Sequence, residues 1–146
     1  MNVRDADIHL LQMVPMLRVL PEATIEQLAA GIQRDAFQPG ERVFRQGDHG
    51  DRVYVIDEGG AEVLRDGRTI RKLGRGECFG EIALIHDTVR TASVRAAASD
   101  PLELVALTRD RFLVAVTGYC ESSRAGRGLV ATRLEEIDRL AGDPRR

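Results

Sequence analysis

Two neighbouring runs of the sequence read LGRGECFGEIAL, from Leu73 to Leu84, and RTASV, from Arg90 to Val94. The glycines of the first run follow the spacing GxGxxxG. Dinucleotide-binding folds carry GxGxxG instead, and a P-loop requires a GK[ST] that does not follow here. The two runs therefore indicate neither of these nucleotide sites.

The residue types in the two runs fit a small phosphate diester held inside β structure. Such a ligand carries a negative charge that is costly to desolvate unless it is paired and hydrogen-bonded. Gly80 would let the backbone approach the ligand, and a short helix starting at Glu81 or Ile82 would direct free N–H groups at the phosphate. Arg90 would supply the charge, because a guanidinium fork matches two phosphate oxygens. An ionised Glu81 only accepts hydrogen bonds, so it suits a sugar hydroxyl, and the set predicts a site for a ribose cyclic phosphate.

Short apolar pieces separated by glycines surround these runs, from about residue 35 to residue 107. Short strands at regular turn spacing predict an all-β roll or barrel. Asp66-Gly67 between two of the pieces predicts a hairpin. The pieces are Arg42–Phe44, Val53–Ile56, Ala61–Leu64, Thr69–Ile70 and Ala92–Ala96.

Helical patterns flank this β region on both sides. Over about residues 5–33, a broken 3.6-residue pattern stops at Pro15 and a second helix begins near Pro21. Over residues 108–141, Thr108 is a predicted N-cap, and a last helix begins near Ser122 or Ser123. That last helix carries an amphipathic stripe formed by Val130, Leu134, Ile137 and Ala141. We interpret residues 1–146 as a single domain in the order helices, β roll, helices.

Composition excludes several classes of function. The chain of 146 residues has 21 basic and 23 acidic residues and a net charge of -2, so it has no broad positive field for nucleic acid or anionic membrane. Two cysteines are too few for a secreted disulfide scaffold. The sequence contains no signal-peptide pattern and no apolar run of the ~20 residues that a membrane span needs. We expect a cytoplasmic chain, or the cytosolic domain of a membrane protein, with no nucleic-acid partner.

The two runs resemble the phosphate-binding cassette of cyclic-nucleotide-binding domains, which occur in cyclic-nucleotide-dependent kinases, gated ion channels and the bacterial catabolite-activator family. The resemblance covers about residues 10–120, with the cassette at 79–94. It implies a mainly β fold, an eight-stranded antiparallel jelly-roll (a double-stranded β-helix). It further implies N-terminal helices, an internal phosphate-binding helix and two C-terminal helices, the last a lid over the base. Further matches lie upstream, at Phe37–Glu41, Gln46–Asp48, Gly50-Asp51, Tyr54–Ile56 and Gly59.

The resemblance also implies a role for particular residues. Arg90 would pair with the cyclic phosphate and Glu81 would hold the ribose 2′-hydroxyl, with Thr91 beside the phosphate and purine. The backbones of Gly80, Ile82 and Ala83 would contact the ligand, and Val63 and Leu73 would line the purine pocket. Candidates for lid contacts with the base are Leu129, Arg133 and Leu134. The chain departs mildly from the family in having Val89 before the arginine and Gly60-Ala61 in place of a polar-valine pair.

These features predict a regulatory sensor that binds a cyclic nucleotide and needs no cofactor. It would transmit occupancy through its C-terminal helix to a fused or partner effector, and it would have no catalytic residues. We expect both cAMP and cGMP to bind, with cAMP favoured, although Thr91 fits either base. The effector is unknown, and a membrane channel or transporter is one candidate because residues 112–118 resemble transporter tails.

Two alternatives belong to other classes of protein. A degenerate jelly-roll that only binds other proteins would have lost Glu81 or Arg90, and both are present. A metal-dependent cupin-like enzyme would need a cluster of histidines with a carboxylate. His9, His49 and His86 are scattered and show no HxH spacing.

Overall fold

A computed structural model of the chain describes residues 3–80 and 89–117. Its helices are α1 (Val3–Gln12), α2 (Pro15–Arg18), α3 (Glu22–Ala30) and α4 (Arg109–Thr117). Pro15 opens α2, where the N–H that proline lacks would be unpaired anyway. The predicted helix near Pro21 is confirmed, with Pro21 at the N-cap of α3. The predicted phosphate-binding helix and the last C-terminal helix lie outside the described residues.

Eight strands in the described residues form two antiparallel four-stranded sheets. Sheet 1 has the order β1-β8-β3-β6, and sheet 2 has the order β2-β7-β4-β5. The predicted mainly β, eight-stranded jelly-roll with flanking helices is thereby confirmed. The strands are β1 (Gln33–Phe37), β2 (Arg42–Phe44), β3 (Arg52–Glu58), β4 (Ala61–Arg65), β5 (Arg68–Leu73), β6 (Cys78–Phe79), β7 (Ser93–Ala96) and β8 (Leu102–Thr108).

The β region begins earlier than the predicted residue 35. Gln33 pairs with Ala106 and Phe37 with Leu102, so every residue of β1 has a partner in β8. Four of the five β1 residues are exposed, and the strand therefore lacks the alternation that signals a half-buried strand. Strand β1 is formed through backbone pairing with the buried strand β8. The pattern of side chains in β1 does not predict a strand.

The predicted Asp66-Gly67 hairpin is confirmed. Arg65 of β4 pairs with Arg68 of β5, which leaves a two-residue loop. Asp66 has φ 54° and Gly67 has φ 81°. Two positive φ values match the turn whose twist suits a tight hairpin, and this explains the Asp-Gly pair.

Within the described ranges, the core consists of two apolar clusters, one on each side of sheet 1. Helices α1, α3 and α4 pack against one face through residues such as Leu11, Ile25 and Phe112. The other cluster fills the roll between the two sheets and includes Ile56, Leu73 and Phe79.

The predicted helix after Thr108 is present, and the Arg111 amide donates a 3.4 Å hydrogen bond to the Thr108 Oγ1 atom. None of the helices in the described ranges is long and apolar enough to cross a membrane.

Candidate anion-binding site around Arg90

Arg90 is a charged side chain in the interior of the roll, with 4% of its surface exposed. Its amide donates a 2.7 Å hydrogen bond to the Asp48 carbonyl, and its carbonyl accepts one of 2.8 Å from the Gly47 amide. A bridge between His49 and Val89 adjoins these bonds. The loop between β2 and β3 therefore fixes the backbone of Arg90.

Two carbonyl groups orient the Arg90 guanidinium. Nη1 donates to the Gly80 carbonyl at 2.7 Å, and Nη2 donates to the Arg52 carbonyl at 2.8 Å. A buried charge is costly unless its donors are hydrogen-bonded. The two carbonyl oxygens satisfy one donor on each terminal nitrogen, so these bonds set the direction of the guanidinium.

Two glycines leave the space that this guanidinium fills. A Cβ atom at Gly80 would lie 2.7 Å from Arg90 Nη1 and 3.3 Å from the Arg52 carbonyl oxygen, and Gly80 has φ +89°. A Cβ atom at Gly50 would lie 2.3 Å from Arg90 Cζ. Sequence analysis placed Gly80 at the site but missed Gly50. The upstream Gly50-Asp51 match was the signal that could have found it.

An aromatic cluster lies against the guanidinium. The Cζ atom of Arg90 lies 4.1 Å from the centroid of the Phe44 ring. Tyr54 and Phe79 stack with centroids 5.3 Å apart and an interplanar angle of 20°. Burial raises the pKa of the Tyr54 phenol, and the positive charge of Arg90 partly offsets that rise. Sequence analysis missed Phe44, because nothing in the spacing from β2 to Arg90 predicts the contact.

The predicted purine-pocket residues lie on neighbouring strands of sheet 2. Val63 of β4 pairs with Val94 of β7 and with Arg71 of β5. Leu73 is 4% exposed, and both Val63 and Leu73 pack in the cluster inside the roll. The two residues therefore share the inner surface of sheet 2.

Thr91 is the remaining predicted site residue that the structure describes. Thr91 is exposed, and its carbonyl accepts a 3.4 Å hydrogen bond from Arg65 Nε. Thus Gly80 and Arg90 are brought into direct contact, while the Thr91 side chain lies at the surface. The predicted contacts Glu81, Ile82, Ala83, Leu129, Arg133 and Leu134 lie outside the described residues.

Arg71 of β5 is the register partner of Val63, which places it on the inner side of sheet 2. Its Nη2 atom lies 3.4 Å from Glu77 Oε2. Its Nε atom is buried and has no hydrogen-bond partner among the residues that the structure describes. Arg71 lies two residues before Leu73, so the period of a strand could have placed both on one face. Sequence analysis did not single it out.

The described residues also bear on the metal alternative. Across 3–80 and 89–117, no three His, Cys, Asp or Glu side chains lie close enough together to hold a metal ion. The chemical capacity of the described site is thus a directed, buried positive charge beside apolar walls. Such a site can bind an anion that has an apolar portion.

Known proteins resemble this chain in sequence and in fold. A cAMP-dependent protein kinase regulatory subunit from Schizosaccharomyces pombe is 43% identical over 88 residues, which are 60% of this chain and 21% of that protein. A cGMP-dependent protein kinase, isozyme 1, from Drosophila melanogaster is 31% identical over 124 residues, or 80% of this chain and 16% of that protein. The chain thus spans less than a quarter of the length of either relative.

A solved structure has the same fold. It is the regulatory subunit of a cAMP-independent protein kinase A from Trypanosoma cruzi bound to guanosine, with a TM-score of 0.75 and 25% sequence identity. The similarity covers 79% of this chain and 41% of that one. The sequence profile of the cyclic nucleotide-binding domain matches residues 34–118, more than half of the chain. This chain therefore belongs to the cyclic nucleotide-binding domain family.

Proposed function

We propose that this chain is a regulatory sensor that binds a cyclic nucleoside monophosphate and catalyses no reaction itself. The observation that carries the proposal is the Arg90 guanidinium, buried to 4% exposure and directed by the carbonyls of Gly80 and Arg52. A positive charge held away from water attracts an anion more strongly than a surface charge does, because the local dielectric constant is lower. Because the chain belongs to the cyclic nucleotide-binding domain family, the anion expected here is a cyclic phosphate.

Within this proposal, Arg90 pairs with the phosphate and Gly80 lets the ligand approach the backbone. Glu81 accepts the ribose hydroxyl, and the backbones of Ile82 and Ala83 complete the phosphate contacts. Val63 and Leu73 contact the base, since both lie on the inner surface of sheet 2. The C-terminal lid residues would close over the base.

The identity of the base has two candidates. The sequence favours cAMP, and the Schizosaccharomyces relative is a cAMP-dependent kinase subunit. Arg71 supports cGMP as a second candidate, because its Nε donor is buried without a partner among the described residues. Guanine offers two adjacent acceptors, O6 and N7, to an arginine, whereas adenine offers N7 beside an amino donor. The Drosophila relative is a cGMP-dependent kinase.

The effector is proposed to be a protein kinase rather than a channel or transporter. Both sequence relatives described above carry a kinase or a kinase regulatory subunit in their names. Occupancy would pass to that effector through the C-terminal helix. A cytoplasmic location, expected from the sequence, fits a kinase-linked sensor.

Calorimetric titration with cAMP, cGMP, adenosine and guanosine tests the proposal. We expect saturable binding of at least one cyclic nucleotide and binding at least tenfold weaker for its nucleoside, which lacks the phosphate. Equal affinity for nucleoside and cyclic nucleotide would contradict the role of the buried charge. Binding of none of the four would favour the degenerate interaction module.

A further inference from the structure

We infer that Phe44 is a positioning residue for Arg90, whose ring holds the guanidinium in the orientation that meets the anion. The Arg90 Cζ atom lies 4.1 Å from the Phe44 ring centroid. A cation within about 6 Å of an aromatic centroid is attracted by the negative face of the ring, more strongly where water is excluded. Arg90 is 4% exposed, so the contact is of the desolvated kind. The inference rests on the proposed function, since the anion it concerns is the cyclic phosphate.

The Phe44 ring contacts the centre of the guanidinium, whereas the two carbonyls hold its terminal nitrogen atoms. The Gly80 and Arg52 carbonyls engage the Nη1 and Nη2 atoms at the edge of the group. Bonds at the edge still allow the plane to tilt about them. The Phe44 ring, whose centroid lies 4.1 Å from Cζ, opposes that tilt and so keeps the guanidinium in the orientation that the two carbonyls set.

The Phe44 ring is itself anchored to the opposite sheet. Its centroid lies 6.1 Å from that of Tyr54 and 5.8 Å from that of Phe79. Tyr54 and Phe79 are direct partners on β3 and β6 of sheet 1, whereas Phe44 belongs to sheet 2. Phe79 also precedes Gly80, whose carbonyl accepts from Arg90. One aromatic cluster therefore fixes both the cation and the carbonyl that receives its hydrogen bond.

Three substitutions separate this role from simple packing. Phe44→Leu keeps an apolar side chain but removes the aromatic face, Phe44→Tyr keeps the face, and Arg90→Met removes the cation. We expect Phe44→Leu to weaken cyclic-nucleotide binding by about 3- to 30-fold, which corresponds to a desolvated cation–π contact. The affinity of Phe44→Tyr should stay within about threefold of that of the unmodified chain. Thermal melting of each variant checks that it folds before its affinity is measured.

A double-mutant cycle shows whether Phe44 acts through Arg90. In an Arg90→Met background, Phe44→Leu should cause no further loss of affinity. Equal affinity of Phe44→Leu and the unmodified chain would overturn the inference. So would a loss that Phe44→Tyr does not recover, or one that persists undiminished in the Arg90→Met background.

The same cycle measured on unfolding without ligand makes the test independent of the proposed function. The Phe44–Arg90 contact should change the unfolding equilibrium constant by about 2- to 30-fold beyond the product of the two single effects. If the unmodified chain bound no cyclic nucleotide, the proposed function would fail while this coupling could still be found. Absence of coupling would overturn the positioning role.

Discussion

Arg90 donates a 2.7 Å hydrogen bond from Nη1 to the carbonyl oxygen of Gly80. The two residues are ten positions apart, and the bond joins Gly80, inside the first sequence run, to the first residue of the second run. A hydrogen bond from a charged donor to a carbonyl is stronger than one between neutral groups, so this contact holds the two runs together. Residues that are separated in the sequence of the cassette thereby lie together in one site.

The space at Gly50 predicts how a small side chain would disturb that site. Gly50→Ala should weaken cyclic-nucleotide binding by about tenfold, or about 1.4 kcal/mol, because its Cβ would lie 2.3 Å from Arg90 Cζ. Calorimetry checks the affinity, and melting checks the fold. Gly74→Ala is the matched control, since a Cβ atom there meets nothing within 4 Å. Unchanged affinity in Gly50→Ala would show that Arg90 can move aside without loss of function.

Tyr54 predicts an alkaline limit to stability. Burial raises the pKa of Tyr54 above its ordinary value of about 10, with Arg90 opposing that rise. The folded state therefore favours the neutral phenol, and this contribution is complete below pH 10 and is lost as the pH rises through the folded-state pKa. Urea unfolding between pH 9 and about pH 11.5 should show a decline in stability that is reduced in Tyr54→Phe. An identical decline in both proteins would remove Tyr54 as its cause.

The same relation predicts the effect of Arg90 on the Tyr54 pKa. Removing the positive charge in Arg90→Met should raise that pKa further, since Arg90 lowers it. Absorbance of the phenolate during alkaline titration measures the shift. Tyr54→Phe identifies which of the two tyrosines titrates. A lower Tyr54 pKa in Arg90→Met would contradict the placement of the charge beside the ring.

A pair of carboxyl groups far from the site predicts a pH dependence of the same sign at acid pH. Glu58 of β3 is the register partner of Glu103 of β8. A hydrogen bond with Glu58 and repulsion by its charge raise the pKa of Glu103. The contribution of Glu103 to stability is therefore present below its unfolded pKa of about 4.3 and is lost as the pH rises through the folded-state value.

Glu103→Gln should therefore raise the melting temperature at pH 7, and the gain should disappear near pH 3.5. The exposed Glu26→Gln in α3 is the control for loss of one negative charge. Melting curves at the two pH values provide the measurement. A gain of equal size at both values would show that repulsion by Glu58 is not its source.

Arg71 predicts the preference for the base. If its buried Nε donor meets guanine, Arg71→Ala should weaken cGMP binding by about tenfold and leave cAMP nearly unchanged. The ratio of the two affinities from competition titrations is the measurement. Lys72→Ala, an exposed neighbour on the same strand, should leave the ratio unchanged. Equal losses for both nucleotides would assign Arg71 a structural role through Glu77.

Local signals in the sequence predicted the features that depend on a few adjacent residues. Asp66-Gly67 identifies its hairpin because two positive φ values demand such residues. The spacing from Gly80 to Arg90 predicts a joint role in ligand binding, and the structure brings the two residues into contact. Phe44 and Gly50 were missed because their contacts with Arg90 join distant parts of the chain. Their positions depend on how sheet 2 and the β2–β3 loop pack around Arg90. Local patterns in a single sequence do not predict that packing.

The most direct test is the ligand-induced melting shift of the Arg90→Ala variant. At about 100 times the dissociation constant, ligand should stabilise the unmodified chain by about 2.7 kcal/mol, a shift of roughly 5–11 °C. The variant should show little or no shift at the same concentration, because truncating one partner of a buried pair costs roughly 2–5 kcal/mol. Arg68→Ala, at an exposed arginine beside the hairpin, removes the same charge and should retain the full shift. A full shift in Arg90→Ala would show that the phosphate is bound elsewhere and would contradict the proposed site.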